Sequence, residues 1–139
     1  MTMESMISVD AIAEYLSAEG YEVELTPDPD VFRVTDLESG LQVTCALQDN
    51  VLFNTLPCFQ VAADGLSSDL MRKLLDADNG ISTSSFQLFE VSAGDYRVAL
   101  TNFCKLQDLG AEDHDDILSC LSFLFVDVVA AKQLLSEYV

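Results

Sequence analysis

Leu41, Val43, Cys45 and Leu47 alternate with Gln42, Thr44, Ala46 and Gln48, the cleanest period-two run in the chain. Successive side chains of a strand point to opposite faces, so the run predicts a strand with one dry and one wet side. Gln48-Asp49-Asn50 reads as a hairpin turn. Val51 to Leu56, apolar at most positions, then predicts a strand covered on both faces or lying under a helix. Upstream, Tyr21, Val23 and Leu25 alternate with Glu22 and Glu24, and Val31 to Thr35 is extended around Phe32 and Val34. Pro27-Asp28-Pro29-Asp30 separates these two runs, because proline removes a ladder donor and aspartate favours turning. Glu38-Ser39-Gly40 makes the next turn. Farther on, Phe86 to Val91 and Tyr96 to Phe103 bracket Ser92-Ala93-Gly94-Asp95, a second hairpin.

Three helices interrupt the strands. Ser8 precedes Val9, Ile12, Ala13 and Leu16 at helical spacing, and Gly20 follows where a left-handed residue ends a helix, which predicts Val9 to Ala18. A polar link, Ala62 to Ser68, supplies capping serines for a second helix with Leu70, Met71, Leu74 and Leu75 on one side, ending before Gly80. After Gly110, Glu112-Asp113-His114-Asp115-Asp116 opens a long helix to about Tyr138, with negative charge at its positive dipole end.

The resulting order is α-β-β-β(-β)-α-β-β-α. Strands joined by hairpins with few intervening helices imply an α+β fold, one antiparallel sheet with helices packed on one face, in a single domain spanning residues 1–139. Val43, Cys45, Phe86, Leu88, Val98 and Leu100 are expected in the core. No repeat or composition shift marks a domain boundary.

Composition narrows the function. Half the residues are apolar, so the chain has material for a core, yet 24 Asp plus Glu face only six Lys plus Arg, a formal net charge of −18. Such a surface repels phosphate backbones and anionic lipid, which excludes nucleic acid and membrane as expected partners and leaves basic protein segments as attractive ones. Met1 to Ser8 has neither the basic nor the apolar region of a signal peptide. Ile117 to Ala131, the longest apolar stretch, carries Ser119, Ser122 and Asp127 and is shorter than the roughly 20 residues of a spanning helix. Cys45, Cys58, Cys104 and Cys120 are scattered in apolar segments without metal-ligand spacing and read as reduced core residues of a cytoplasmic protein.

The candidate chemistry is sparse. A single His114, in an acidic helix start, removes most Ser–His and Cys–His arrangements. Glu22 and Glu24 lie on a wet strand face, the glycines form no nucleotide cradle, and no pair of carboxylates is placed to work as acid and base. The expectation is no enzyme, no catalytic residue, no cofactor, no metal and no small-molecule ligand. Asp127, between Val126 and Val128 in the most apolar helix, is expected to face solvent on the side of Asp116 and Cys120. On that helix Ile117, Leu121, Leu124, Val128, Ala131 and Leu135 make one core face, extended by Leu118, Phe125 and Val129. Phe123, Val126 and Ala130 lie farther round, and they are the candidate residues for a partner or dimer interface.

With that order in place, the chain resembles the small acidic bacterial proteins of the secretion-chaperone-like fold, the type III secretion chaperones and the YbjN-like proteins, with the YjfI-like family as a related candidate. The elements that carry the likeness are the helix Val9 to Ala18, the hairpin Leu41 to Leu56, the helix around Leu70 to Leu75, the Phe86 to Phe103 hairpin with Gly94-Asp95-Tyr96, and the apolar final helix. The resemblance implies an α/β sandwich, commonly dimeric, that binds or modulates other proteins without catalytic residues. It implies a regulatory or protein-binding module first, and a chaperone for an extended effector segment second, with a small enzyme third.

Overall fold

The computed structural model describes residues 7–81 and 83–138. The N-terminal reading on signal peptides therefore falls largely outside the described residues. The first helix, α1 (Val9–Ala18), begins as the sequence predicts. Ser8 is extended and its hydroxyl oxygen accepts from the Ala11 amide at 3.1 Å, filling one of the donors a helix start leaves open. Gly20, at φ 100°, takes the chain out of the helix. Ile12 and Leu16, one turn apart, are the buried pair.

Four strands follow: β1 (Glu22–Leu25), β2 (Val31–Thr35), β3 (Gln42–Gln48) and β4 (Val51–Ala62). Then come α2 (Ser68–Leu75), β5 (Ser85–Ser92), β6 (Asp95–Lys105) and α3 (Ala111–Leu134). The six strands lie in one sheet in the order β1-β2-β3-β4-β6-β5. Hairpin neighbours pair antiparallel, with Val34 opposite Val43, Ala46 opposite Phe53 and Leu88 opposite Val98. The β3–β4 turn has Asp49 at φ 53° and Asn50 at φ 64°, the two left-handed residues that a tight hairpin matching the strand twist requires.

The chain divides into two compact units, and β4, β6 and α3 each run from one to the other. The first contains the segment up to Thr55 with Phe103–Ser122. Its core holds Ile12 and Leu16 of α1, Phe32, Val34, Val43, Cys45 and Leu52 of the sheet, and Ile117 and Leu121 of α3, all essentially without solvent contact. The opposite face of these strands is bare, with Arg33, Phe53 and Phe103 exposed. The second unit contains Leu56–Asn102 with the chain from Phe123 on. There Leu70 and Leu74 of α2 pack with Val98 and Leu135, bordered by Phe59, Val61, Leu66, Phe86, Leu134 and Tyr138. Burying one such leucine contributes about 1.5–3 kcal/mol.

Several expectations shift. β4 runs six residues beyond Leu56, through Pro57. Its last pair with β3 is Thr55 with Thr44, so Pro57 sits where that neighbour has ended and no ladder donor is missed on that side. Of the expected core, Val43, Cys45, Val98 and Leu100 are fully buried, whereas Phe86 is half-buried and Leu88 is exposed, since β5 is a sheet edge. Leu25, on the other edge strand, is exposed too. In α2, Leu70 and Leu74 are buried but Met71 and Leu75 face solvent, because a helix of barely two turns offers its neighbours one narrow stripe.

Candidate interaction surface

α3 starts on a loop held by one carboxylate. Asp113 Oδ2 accepts the backbone N–H groups of Gln107, Asp108 and Leu109 at 2.7, 2.9 and 2.7 Å. Burial pushes the Asp113 carboxyl up, but the three amides outweigh it and the net shift is downward. Beside it the imidazole of His114 lies flat on the phenol of Tyr15 from α1, ring centroids 3.8 Å apart and planes 8° from parallel. The lone histidine is thus packed against a helix. Among the described residues no group of His, Cys, Asp and Glu is arranged to hold a metal ion.

Along α3 the buried positions are Asp113, Ile117, Leu121, Leu124, Asp127, Val128, Ala131 and, just past its end, Leu135. Spacings of three and four place them on one side of the helix. The other side of its C-terminal half is apolar as well. Phe123, Val126 and Val129 are 44%, 68% and 58% exposed, an unbroken strip over two turns. Phe123 and Val126 stand outside the core as the sequence implied, and Ala130 is half-buried at the margin of the strip. Val129, expected to extend the core, belongs to the strip instead, because the true core face is narrower than its apolar pattern.

Asp127 reverses its expectation. It is 7% exposed, and its Oδ2 accepts hydroxyl hydrogens from Thr83 at 2.8 Å and Ser84 at 2.9 Å. A buried carboxylate is tolerable when hydrogen-bonded. Thr83 and Ser84 lie more than forty residues upstream, just before β5, and nothing in local spacing announces the pairing. It locks the turn of α3 that carries Phe123 and Val126. Sequence reasoning could have found it only from the oddity of a charge inside the most apolar helix.

The thiols are all free. Burial pushes Cys45 far up and Cys58 up to about 11. Cys104 of β6 and Cys120 of α3 are hydrogen-bonded to each other through their side chains. The sequence reading of four isolated core thiols did not anticipate that contact.

Two open clefts complete the surface. One, of about 510 Å³, is lined by Asp10, Asp28 and Asp30 over Leu25, Val31 and Leu47. The other, of about 350 Å³, lies between α2 and the end of the chain and includes Asp69, Arg72, Lys73 and Tyr138. On the bare sheet face, Phe53 and Phe103 meet at 6.0 Å between ring centroids. α3 is long and apolar enough to cross a bilayer by length and composition, where the shorter apolar run in the sequence fell below that limit, and 33% of its most apolar window is buried inside the fold.

No family profile matches the chain, and no curated protein does. Among solved structures, it is similar to the crystal structure of YbjN from E. coli, described as a candidate transcription regulator. The TM-score is 0.66 over 92% of each chain, at 12% sequence identity. The YbjN-like fold implied by the order of elements is therefore the fold of this chain.

Proposed function

We propose that this chain is a non-enzymatic regulatory module of the cytoplasm that acts by binding protein, through the strip formed by Phe123, Val126 and Val129 on α3. The observation that carries the reading is the exposure of three large apolar side chains on consecutive turns of a helix whose opposite side is already core. Fully covering each contributes on the order of 1.5–3 kcal/mol, enough together for a modest interface. The simplest cover is a second copy of the chain laid strip against strip. At −18 per copy the two repel, so pairing strengthens as salt screens the charge.

The description of YbjN as a candidate transcription regulator supports a regulatory role. Here the charge argues that regulation runs through protein contacts, because an acidic surface gains nothing from phosphates. His114 lies against Tyr15 rather than beside a nucleophile, which supports a role without catalysis. A second reading, capture of an extended apolar segment in the manner of a secretion chaperone, is favoured by the exposed Phe53–Phe103 pair on the bare sheet face.

Affinity capture from the native cell distinguishes the two. The first reading expects a protein retained by the wild type and lost with Val126→Asp. Retention by Val126→Asp together with loss on Phe103→Asp would overturn it for the second.

A further inference from the structure

We propose that Cys104 and Cys120 form a site of reversible oxidation by hydroperoxides, with Cys120 as the reacting thiol and Cys104 as the one that resolves it into a disulfide. The inference is independent of the binding role. It begins with where the sulfurs are. Cys104 stands near the end of β6 and Cys120 in the third turn of α3, sixteen residues apart, in the same compact unit. The two side chains meet in a hydrogen bond. Cys120 also points its sulfur at the carbonyl oxygen of Phe103, the neighbour of Cys104, at 3.7 Å. Sulfurs already in contact reach a disulfide length of about 2.05 Å by side-chain movement at the seam of one strand and one helix.

The two thiols are unequal in the way such a pair needs. Cys120 is half-buried, so a small peroxide can touch it, whereas Cys104 is buried. The hydrogen bond from Cys104 favours the thiolate at Cys120, and this outweighs burial and the nearby Asp116 carboxylate, which oppose it. The same bond, with burial, keeps the proton on Cys104. Only the thiolate attacks.

In the first step the Cys120 sulfur attacks the peroxide: an S–O bond forms, the O–O bond breaks, and the leaving alkoxide takes a proton to become an alcohol, or water when the oxidant is hydrogen peroxide. Cys120 is then a sulfenic acid. In the second, the Cys104 sulfur gives up its proton and attacks the Cys120 sulfur. The S–S bond forms, the S–O bond breaks, and hydroxide leaves as water with that proton. In total two thiols lose two electrons and two protons, and one hydroperoxide becomes one alcohol and one water. A dithiol reductant reverses the change by exchange. Cys45, fully buried on β3 and close enough to Cys120 to influence it, is the competing partner that a test must separate.

The test treats the folded protein with graded hydrogen peroxide, alkylates the remaining thiols under denaturing conditions and maps the peptides without reduction. The expected result is loss of two of the four alkylations, one cross-link joining Cys104 to Cys120, and full recovery with dithiothreitol. Cys104→Ser should instead leave a sulfenic acid at Cys120 that dimedone labels, with an unchanged circular dichroism spectrum. Four alkylated thiols at peroxide levels that oxidise a control dithiol protein would overturn the proposal. So would a cross-link to Cys45, or sulfinic acid at Cys120 in the wild type; none of these three readouts depends on a variant folding.

Discussion

Thr83 donates its hydroxyl hydrogen to the Asp127 carboxylate at 2.8 Å, joining the approach to β5 to the middle of α3. With Ser84 on the same oxygen, the contact fixes the helix turn on which the exposed strip stands. Asp127→Ala removes the acceptor and leaves two hydroxyls to find others. The expected cost is about 1–3 kcal/mol in urea unfolding. A double-mutant cycle with Ser84→Ala should show coupling of roughly 0.5 kcal/mol or more, as expected of residues in direct contact. Additive losses would mean that the hydrogen bond contributes nothing.

Asp113 gives the acid limb of the stability curve a definite sign. Its folded-state pKa is lowered from 3.8, so the unfolded chain binds the proton more readily. The stabilisation is complete above the unfolded value and is lost as the pH falls through the folded one. Asp113→Asn should therefore cost about 1.5–3 kcal/mol at neutral pH, as for hydrogen bonds to a charged group. The gap to the wild type should narrow steadily below about pH 4. Chemical denaturation from pH 7 to pH 2 checks both; a gap that does not change with pH would contradict the account.

The β3–β4 turn offers a gain. Asn50 holds φ 64°, a conformation glycine adopts without a steric cost. Asn50→Gly should stabilise by up to about 1 kcal/mol, and Asn50→Val should destabilise by at least as much. Thermal unfolding of the pair reads the difference, and a more stable valine variant would show that the turn is not formed as described.

Much of this architecture was legible because its signals are local. The Ser8 cap, the alternation through Val43 and Cys45 and the Asp49-Asn50 turn each sit within a few residues of their consequence. The length of β4 was not legible, since Pro57 reads as a terminator until the end of β3 is known. Exposure at Leu88 and Leu75 depends on which strand is an edge and on how little of α2 finds a neighbour. For the site, Phe123 and Val126 were visible as apolar residues in excess of one stripe. Val129 was not, because helical spacing gives the direction of a side chain and not the width of the surface that meets it. The Asp127 and Cys104–Cys120 contacts are tertiary and leave no local trace.

The strip should also govern surface behaviour. Val126→Lys places a charge where an apolar residue is 68% exposed, so it should leave urea stability within about 0.5 kcal/mol of the wild type. A loss of several kcal/mol would show that Val126 is core.

The most direct measurement of the central claim is sedimentation velocity of the wild type and Val126→Asp over a series of salt concentrations. The account predicts a wild type that shifts from monomer towards dimer as salt rises, and a variant that stays monomeric throughout. A wild type that is monomeric at every salt concentration, together with undiminished capture of the native partner by Val126→Asp, would contradict it.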